Sequence, residues 1–61
     1  MIEELDAVEL LEDKAELNLK KGSSGTVVYM GGKRDFCFVE FTKQGKTIAC
    51  EIIEVNKLKK L

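Results

Sequence analysis

Histidine is absent from this 61-residue chain, and cysteine occurs only twice. Without imidazole the usual histidine-containing zinc sites cannot form, and two cysteines fall short of a four-thiolate site. The commonest general base near neutral pH is missing as well. Carboxylates are plentiful, but no pair is set by its spacing into an identifiable pocket. Gly22-Ser23-Ser24-Gly25 lacks the Lys-Ser/Thr ending and the following helix of a phosphate-cradling loop. The expectation is a protein that is not an enzyme and carries no cofactor or metal.

Long apolar runs are also lacking. No stretch approaches the roughly 20 consecutive apolar residues of a membrane helix. No charged-then-apolar leader opens the chain, so a cytoplasmic location is expected. Internal repeats, linkers and low-complexity segments are absent, and residues 1–61 read as a single domain. A chain this short buries only about 60% of its unfolded surface, so each large apolar side chain matters.

What the chain does have is charge, unevenly placed. Residues 1–16 hold seven acids and one base, Lys14, whereas residues 17–61 hold nine bases and four acids. The acidic start is suited to pair with the basic body. A polyanion would compete with that pairing, which weighs against non-specific nucleic-acid binding.

The middle of the chain carries the plainest structural signal. Residues 25–30, 35–41 and 47–53 are rich in β-branched and aromatic types and read as strands. The first two are joined by Gly31-Gly32-Lys33-Arg34, where glycine would permit positive φ. The turn Lys43-Gln44-Gly45-Lys46 joins the second to the third. An antiparallel three-stranded meander follows. Residues 54–56 suit a single helical turn, and Lys57–Leu61 a short lysine-bearing edge strand.

The N-terminal segment has two readings. Ala7–Leu11 suits a strand with Val8 and Leu10 on one face. Ile2, Leu5, Val8 and Leu11 also recur at a three-residue spacing, in a segment rich in helix formers. A helix packed on the meander is the alternative to a strand. A meander this small needs further strands to cover its edges, which favours the strand.

Residues 19–28, Leu-Lys-Lys-Gly-Ser-Ser-Gly-Thr-Val-Val, suggest a tight turn feeding a bent strand, with Gly25 allowing close backbone approach. This Gly-x-x-Gly-x-Val turn is similar to that of KOW-type and other SH3-like barrels. The wider pattern comprises Leu5-Asp6-x-Val8-x-Leu10-Leu11-Glu12-Asp13, Leu19-Lys20-Lys21-Gly22-x-x-Gly25-Thr26-Val27-Val28, Val39-Glu40-Phe41 and Leu58. Together these resemble the small bacterial family catalogued as domain of unknown function 4926. The resemblance covers nearly the whole chain and implies an all-β, five-stranded SH3-like barrel with a strand at its N-terminus. It implies nothing about activity. Two features depart from it: Lys14–Asn18 contains no Pro or Gly, and Phe36 and Phe38 stand where polar residues are expected.

Hairpin geometry assigns faces. If Met30 pairs with Asp35 and Thr42 with Thr47, one face carries Thr26, Val28, Met30, Cys37, Val39, Phe41, Ile48, Cys50 and Ile52, a plausible core. The other carries Val27, Tyr29, Phe36, Phe38, Glu40, Ala49, Glu51 and Ile53. A half-exposed sheet should alternate apolar with polar residues, yet this second face sets Tyr29 beside Phe36 and Val27 beside Phe38. Either strand bending buries these residues, or they form an exposed apolar patch of the kind that marks a partner site. Lys33 and Arg34 in the adjoining loop complete the candidate interaction set of Tyr29, Phe36, Phe38, Lys33 and Arg34. Aromatics next to basic groups can also stack bases and hold phosphates.

In the same register Cys37 and Cys50 share the core face on neighbouring strands, diagonally offset. They are expected to be two reduced, buried small residues rather than a disulfide. The leading functional expectation is a small binding module acting through protein–protein contacts. It would be a regulatory or antitoxin-like subunit, bound to a protein partner or to copies of itself. The alternative is a KOW-like RNA- or DNA-binding barrel. No membrane partner is expected.

Overall fold

The computed structural model describes all residues, 1–61. Five strands form one antiparallel sheet: β1 (Ala7–Leu10), β2 (Ser24–Met30), β3 (Phe36–Lys43), β4 (Lys46–Glu54) and β5 (Leu58–Lys60). Their order across the sheet is β4-β3-β2-β1-β5. The all-β, five-stranded expectation holds. The ladder does not close into a barrel, however. β5 is only three residues long and pairs with β1, so β4 and β5 remain as two free edges.

The N-terminal segment is a strand. Val8 pairs with Gly25 of β2 on one side and with Lys60 of β5 on the other. The three-residue spacing that suggested a helix does not describe a buried stripe: Ile2 and Val8 are buried, whereas Leu5 and Leu11 are exposed. The preceding residues fold over the sheet end. Leu5 donates its N–H to the Val27 carbonyl at 2.6 Å, and the Val27 N–H returns to the Asp6 carbonyl at 3.0 Å. Residues Lys14–Asn18, which lack Pro and Gly, turn by another means. A 3₁₀ turn (Ala15–Leu17) ends on Asn18 at φ 58°, a left-handed conformation that asparagine tolerates.

The turns follow local chemistry. Gln44 (φ 53°) and Gly45 (φ 78°) are both left-handed, as a two-residue type I′ hairpin between Lys43 and Lys46 requires. In the β2–β3 loop the expectation is corrected. Arg34, at φ 62°, takes the left-handed position there, and neither Gly31 nor Gly32 does. Gly31 serves a different need, since a Cβ on it would lie 2.9 Å from the Phe36 carbonyl oxygen. Gly25 does provide the expected close approach: a Cβ there would stand 2.5 Å from the Glu40 carbonyl oxygen. A second 3₁₀ turn (Val55–Lys57) carries the chain from β4 to β5.

Two β-bulges decide which residues are inside. Val27 pairs with Val39 but Tyr29 with Phe38, so Val28 is an extra residue in β2. Phe41 pairs with Ala49 but Thr42 with Thr47, so Ile48 is an extra residue in β4. One inserted residue exchanges the faces of everything beyond it, because side chains alternate with a period of two. The inner face accordingly holds Val27, Met30, Cys37, Val39, Phe41 and Ile53, joined by Val8, Leu10 and Leu58, with Ile2 and Leu19 closing the ends. Met30, Cys37, Val39 and Phe41 lie where expected. Thr26, Val28, Ile48, Cys50 and Ile52 do not, and Val27 and Ile53 replace them. The register at the loop end also differs, with Met30 opposite Cys37 rather than Asp35.

Charge is arranged as the composition suggested. Glu3 meets Arg34 at 2.8 Å, Glu12 meets Lys57 at 3.2 Å, and Asp6 meets Lys60 at 3.5 Å. Each is a surface pair worth at most about 1 kcal/mol. Together they tie the acidic start to the basic body.

Candidate functional site

β3 builds the site. Its alternation sends Cys37, Val39 and Phe41 inward and leaves Phe36 and Phe38 on the outer face. The bulge at Val28 brings Tyr29 directly opposite Phe38, rather than Phe36 as the simple register implied. The bulge at Ile48 brings Ile52 opposite Phe38 from the other side. Tyr29, Phe38 and Ile52 thus form one cross-strand row over β2, β3 and β4, with Phe36 next to it along β3.

This row is exposed. Fractional exposure runs from 38% at Phe38 through 47% at Phe36 and 62% at Tyr29 to 68% at Ile52. Together with Gly31 and the edge of Cys37 these side chains line an open, almost wholly apolar cleft. The question the sequence left open is resolved: the outer aromatics are not covered by strand bending or by the N-terminal segment.

The two basic residues separate. Arg34 is engaged by the N-terminal segment, its Nη2 donating to the Ile2 carbonyl at 3.1 Å and pairing with Glu3. Lys33 sits exposed in the loop. Tyr29, Phe36 and Phe38 therefore come together, whereas Arg34 serves the fold of the N-terminal segment. Ile52 belongs to the row and was assigned to the core by the unbulged register. The adjacent pair Ile52-Ile53 carries no signal of which one faces inward, and a bulge has no composition of its own to mark it.

The cysteines are corrected too. They lie on opposite faces, Cys37 buried opposite Ile53 and Cys50 exposed opposite Glu40. Burial pushes the Cys37 thiol above its ordinary pKa. On the outer face beyond Cys50, Glu40 accepts a hydrogen bond from the Thr47 hydroxyl. A larger hollow between the β1–β2 connection and the β3–β4 hairpin is lined mostly by polar residue types, Lys20, Lys43, Ser23 and Ser24 among them. No group of three or more Cys, Asp or Glu side chains stands close enough to hold a metal ion. No helix is long and apolar enough to cross a membrane.

Residues 4–60 match the family model described as domain of unknown function (DUF4926), and the chain belongs to that family. No curated protein and no solved structure matches it.

Proposed function

We propose that this domain is a non-enzymatic binding module that engages a protein partner through the outer face of β2–β3–β4. The observation that carries this reading is the row Tyr29–Phe38–Ile52 with Phe36 beside it. These are four large apolar side chains, contiguous and open to solvent, on a sheet whose other face already supplies the core. Isolated exposed apolar residues are ordinary, but a contiguous cluster on a small domain is the usual mark of a contact surface. The regulatory or antitoxin-like role belongs to this reading, because a domain with a sticky face and no assembled chemistry acts by occupying another protein. A cytoplasmic setting suits it.

The KOW-like nucleic-acid reading has weaker support. It needs cations beside the aromatics to hold phosphates. Arg34 is engaged by Glu3, leaving Lys33 as the cation of that loop.

The test is a Phe38→Ser exchange. It is expected to leave the far-UV spectrum intact and to lower the melting temperature by no more than about 8 °C, while abolishing retention of protein partners from a native lysate. Unfolding of the variant would make Phe38 a core residue and end the proposal. Gel shifts that weaken steeply with added salt would favour nucleic acid instead.

A further inference from the structure

The two free edges of the sheet differ. β5 is three residues long, two of them lysine, and Leu61 beyond it donates its N–H to the Ala7 carbonyl. Short length and lysines are what keep a sheet edge from pairing with another chain. β4 is nine residues long, contains no proline, and carries exposed Ile48, Cys50 and Ile52.

The backbone of β4 shows which groups are free. Val55 donates its N–H to the Asp35 carbonyl at 2.9 Å. In an antiparallel ladder, residues alternate between exchanging hydrogen bonds with the neighbour and pointing them away. Ile53, Glu51 and Ala49 are therefore bonded to β3, whereas Cys50 and Ile52 direct their N–H and C=O groups away from the sheet, as Glu54 does its N–H; the Glu54 carbonyl opens the Val55–Lys57 turn. The bulge at Ile48 ends this regular run. The free groups are centred on Ile52.

We propose that β4 pairs antiparallel with β4 of a second copy of this chain, about a two-fold axis at Ile52. The Glu54 N–H of each copy then donates to the Cys50 carbonyl of the other, and Ile52 exchanges main-chain hydrogen bonds with Ile52. The self-pairing suits the charges. The run carries Glu51 and Glu54 but no cation. Centring on Ile52 sets Glu51 against Ile53 and Glu54 against Cys50, so no carboxylate meets its own copy, whereas centring on Glu51 would oppose two. The two-fold axis runs perpendicular to the sheet, so outer faces stay on one side. The rows Tyr29–Phe38–Ile52 of both copies then join into one apolar band across the dimer. The pairing rests on the edge backbone. It deepens the proposed binding face by doubling it, but does not depend on it.

The experiment is sedimentation equilibrium of the full chain and of two variants, Ile52→Lys and Ile52→Glu. Ile52 is the most exposed apolar side chain of the strands, so neither variant should disturb the monomer, which circular dichroism checks. The parent is expected to dimerise. Each variant alone should dissociate about 100-fold more readily, because like charges meet at the axis. An equimolar mixture of the two should recover the dimer. A parent that stays monomeric at millimolar concentration overturns the proposal, as does a mixture no tighter than the separate variants. Phe38→Ser leaves the edge backbone untouched and should still dimerise, so loss of partner retention in that variant tests the face separately from the edge.

Discussion

The two faces of β3 make an instructive contrast, because they come from one strand with one composition. Phe41, Val39 and Cys37 point inward and are essentially inaccessible; Phe38 and Phe36, alternating with them, are open to solvent. An aromatic on the inner face is part of the only core this chain has, and an aromatic on the outer face contributes little to holding the fold. The same residue type therefore answers to folding on one side and to contact on the other. Composition alone could not have told these roles apart.

The largest break in this contrast is expected from Phe41→Ala. Phe41 is completely buried against the strands on either side. Removing a buried phenyl ring costs about 3–5 kcal/mol. A chain of this length has a total stability of roughly 3–9 kcal/mol, so Phe41→Ala should remove a large share of it and urea titration should show a steep fall in the midpoint. Phe38→Ser, three residues earlier on the opposite face, should lose only about 1 kcal/mol.

A narrower comparison uses adjacent residues. Ile53 is buried and Ile52 is exposed, solely because Ile48 is inserted as a bulge. Ile53→Thr should destabilise by about 2–3 kcal/mol, through lost burial and a hydroxyl placed in the core. Ile52→Thr should change stability by less than about 0.5 kcal/mol. Equal losses in the two titrations, or their reversal, would place the bulge elsewhere and dissolve the outer row.

The inner face also constrains the backbone, at Gly25. Gly25→Ala would drive a Cβ into the Glu40 carbonyl, and overpacking of this kind costs roughly 1–3 kcal/mol. Gly32 is its control: a methyl group there would meet nothing within 4 Å, and its φ is not positive. Gly32→Ala should leave the urea midpoint unchanged or slightly raised.

Much of the fold was legible from sequence, and the errors have a common physical source. The meander, a turn at Lys43-Gln44-Gly45-Lys46, a helical turn after β4 (one residue earlier than the Val55–Lys57 turn) and the need for glycine at position 25 all follow from residues whose local preferences agree with their surroundings. The strand nature of Ala7–Leu10 did not follow from propensity, which favours helix for Glu, Leu and Ala. It followed from the need of a small sheet for further strands, and β2 and β5 on either side meet that need. The face assignments failed at Val28 and Ile48. A bulge is selected by how the whole sheet must bend, and nothing at Val28 or Ile48 distinguishes an inserted residue from a paired one. Each insertion changed the face of every residue on one side of it, which is why Ile52 and Cys50 were misplaced together. The candidate aromatics survived because β3, the strand that carries two of them, has no inserted residue.

The gentlest probe of the contrast is the pair of cysteines, one on each face. Cys50 should react with a maleimide on mixing, whereas Cys37 should wait for the sheet to open, slower by a factor on the order of 10³. The buried thiol also makes stability depend on pH. Burial raises the folded pKa of Cys37 above its unfolded value. A group raised in this way contributes its full stability below the unfolded pKa, near about 8.5 for a thiol. That contribution is lost as pH rises through the folded value, because the unfolded chain then releases the proton more readily. Stability measured by urea titration should therefore decline above pH about 9. Cys37→Ala should flatten part of that decline. A decline unchanged in Cys37→Ala would mean that the inner face does not hold the Cys37 thiol away from water.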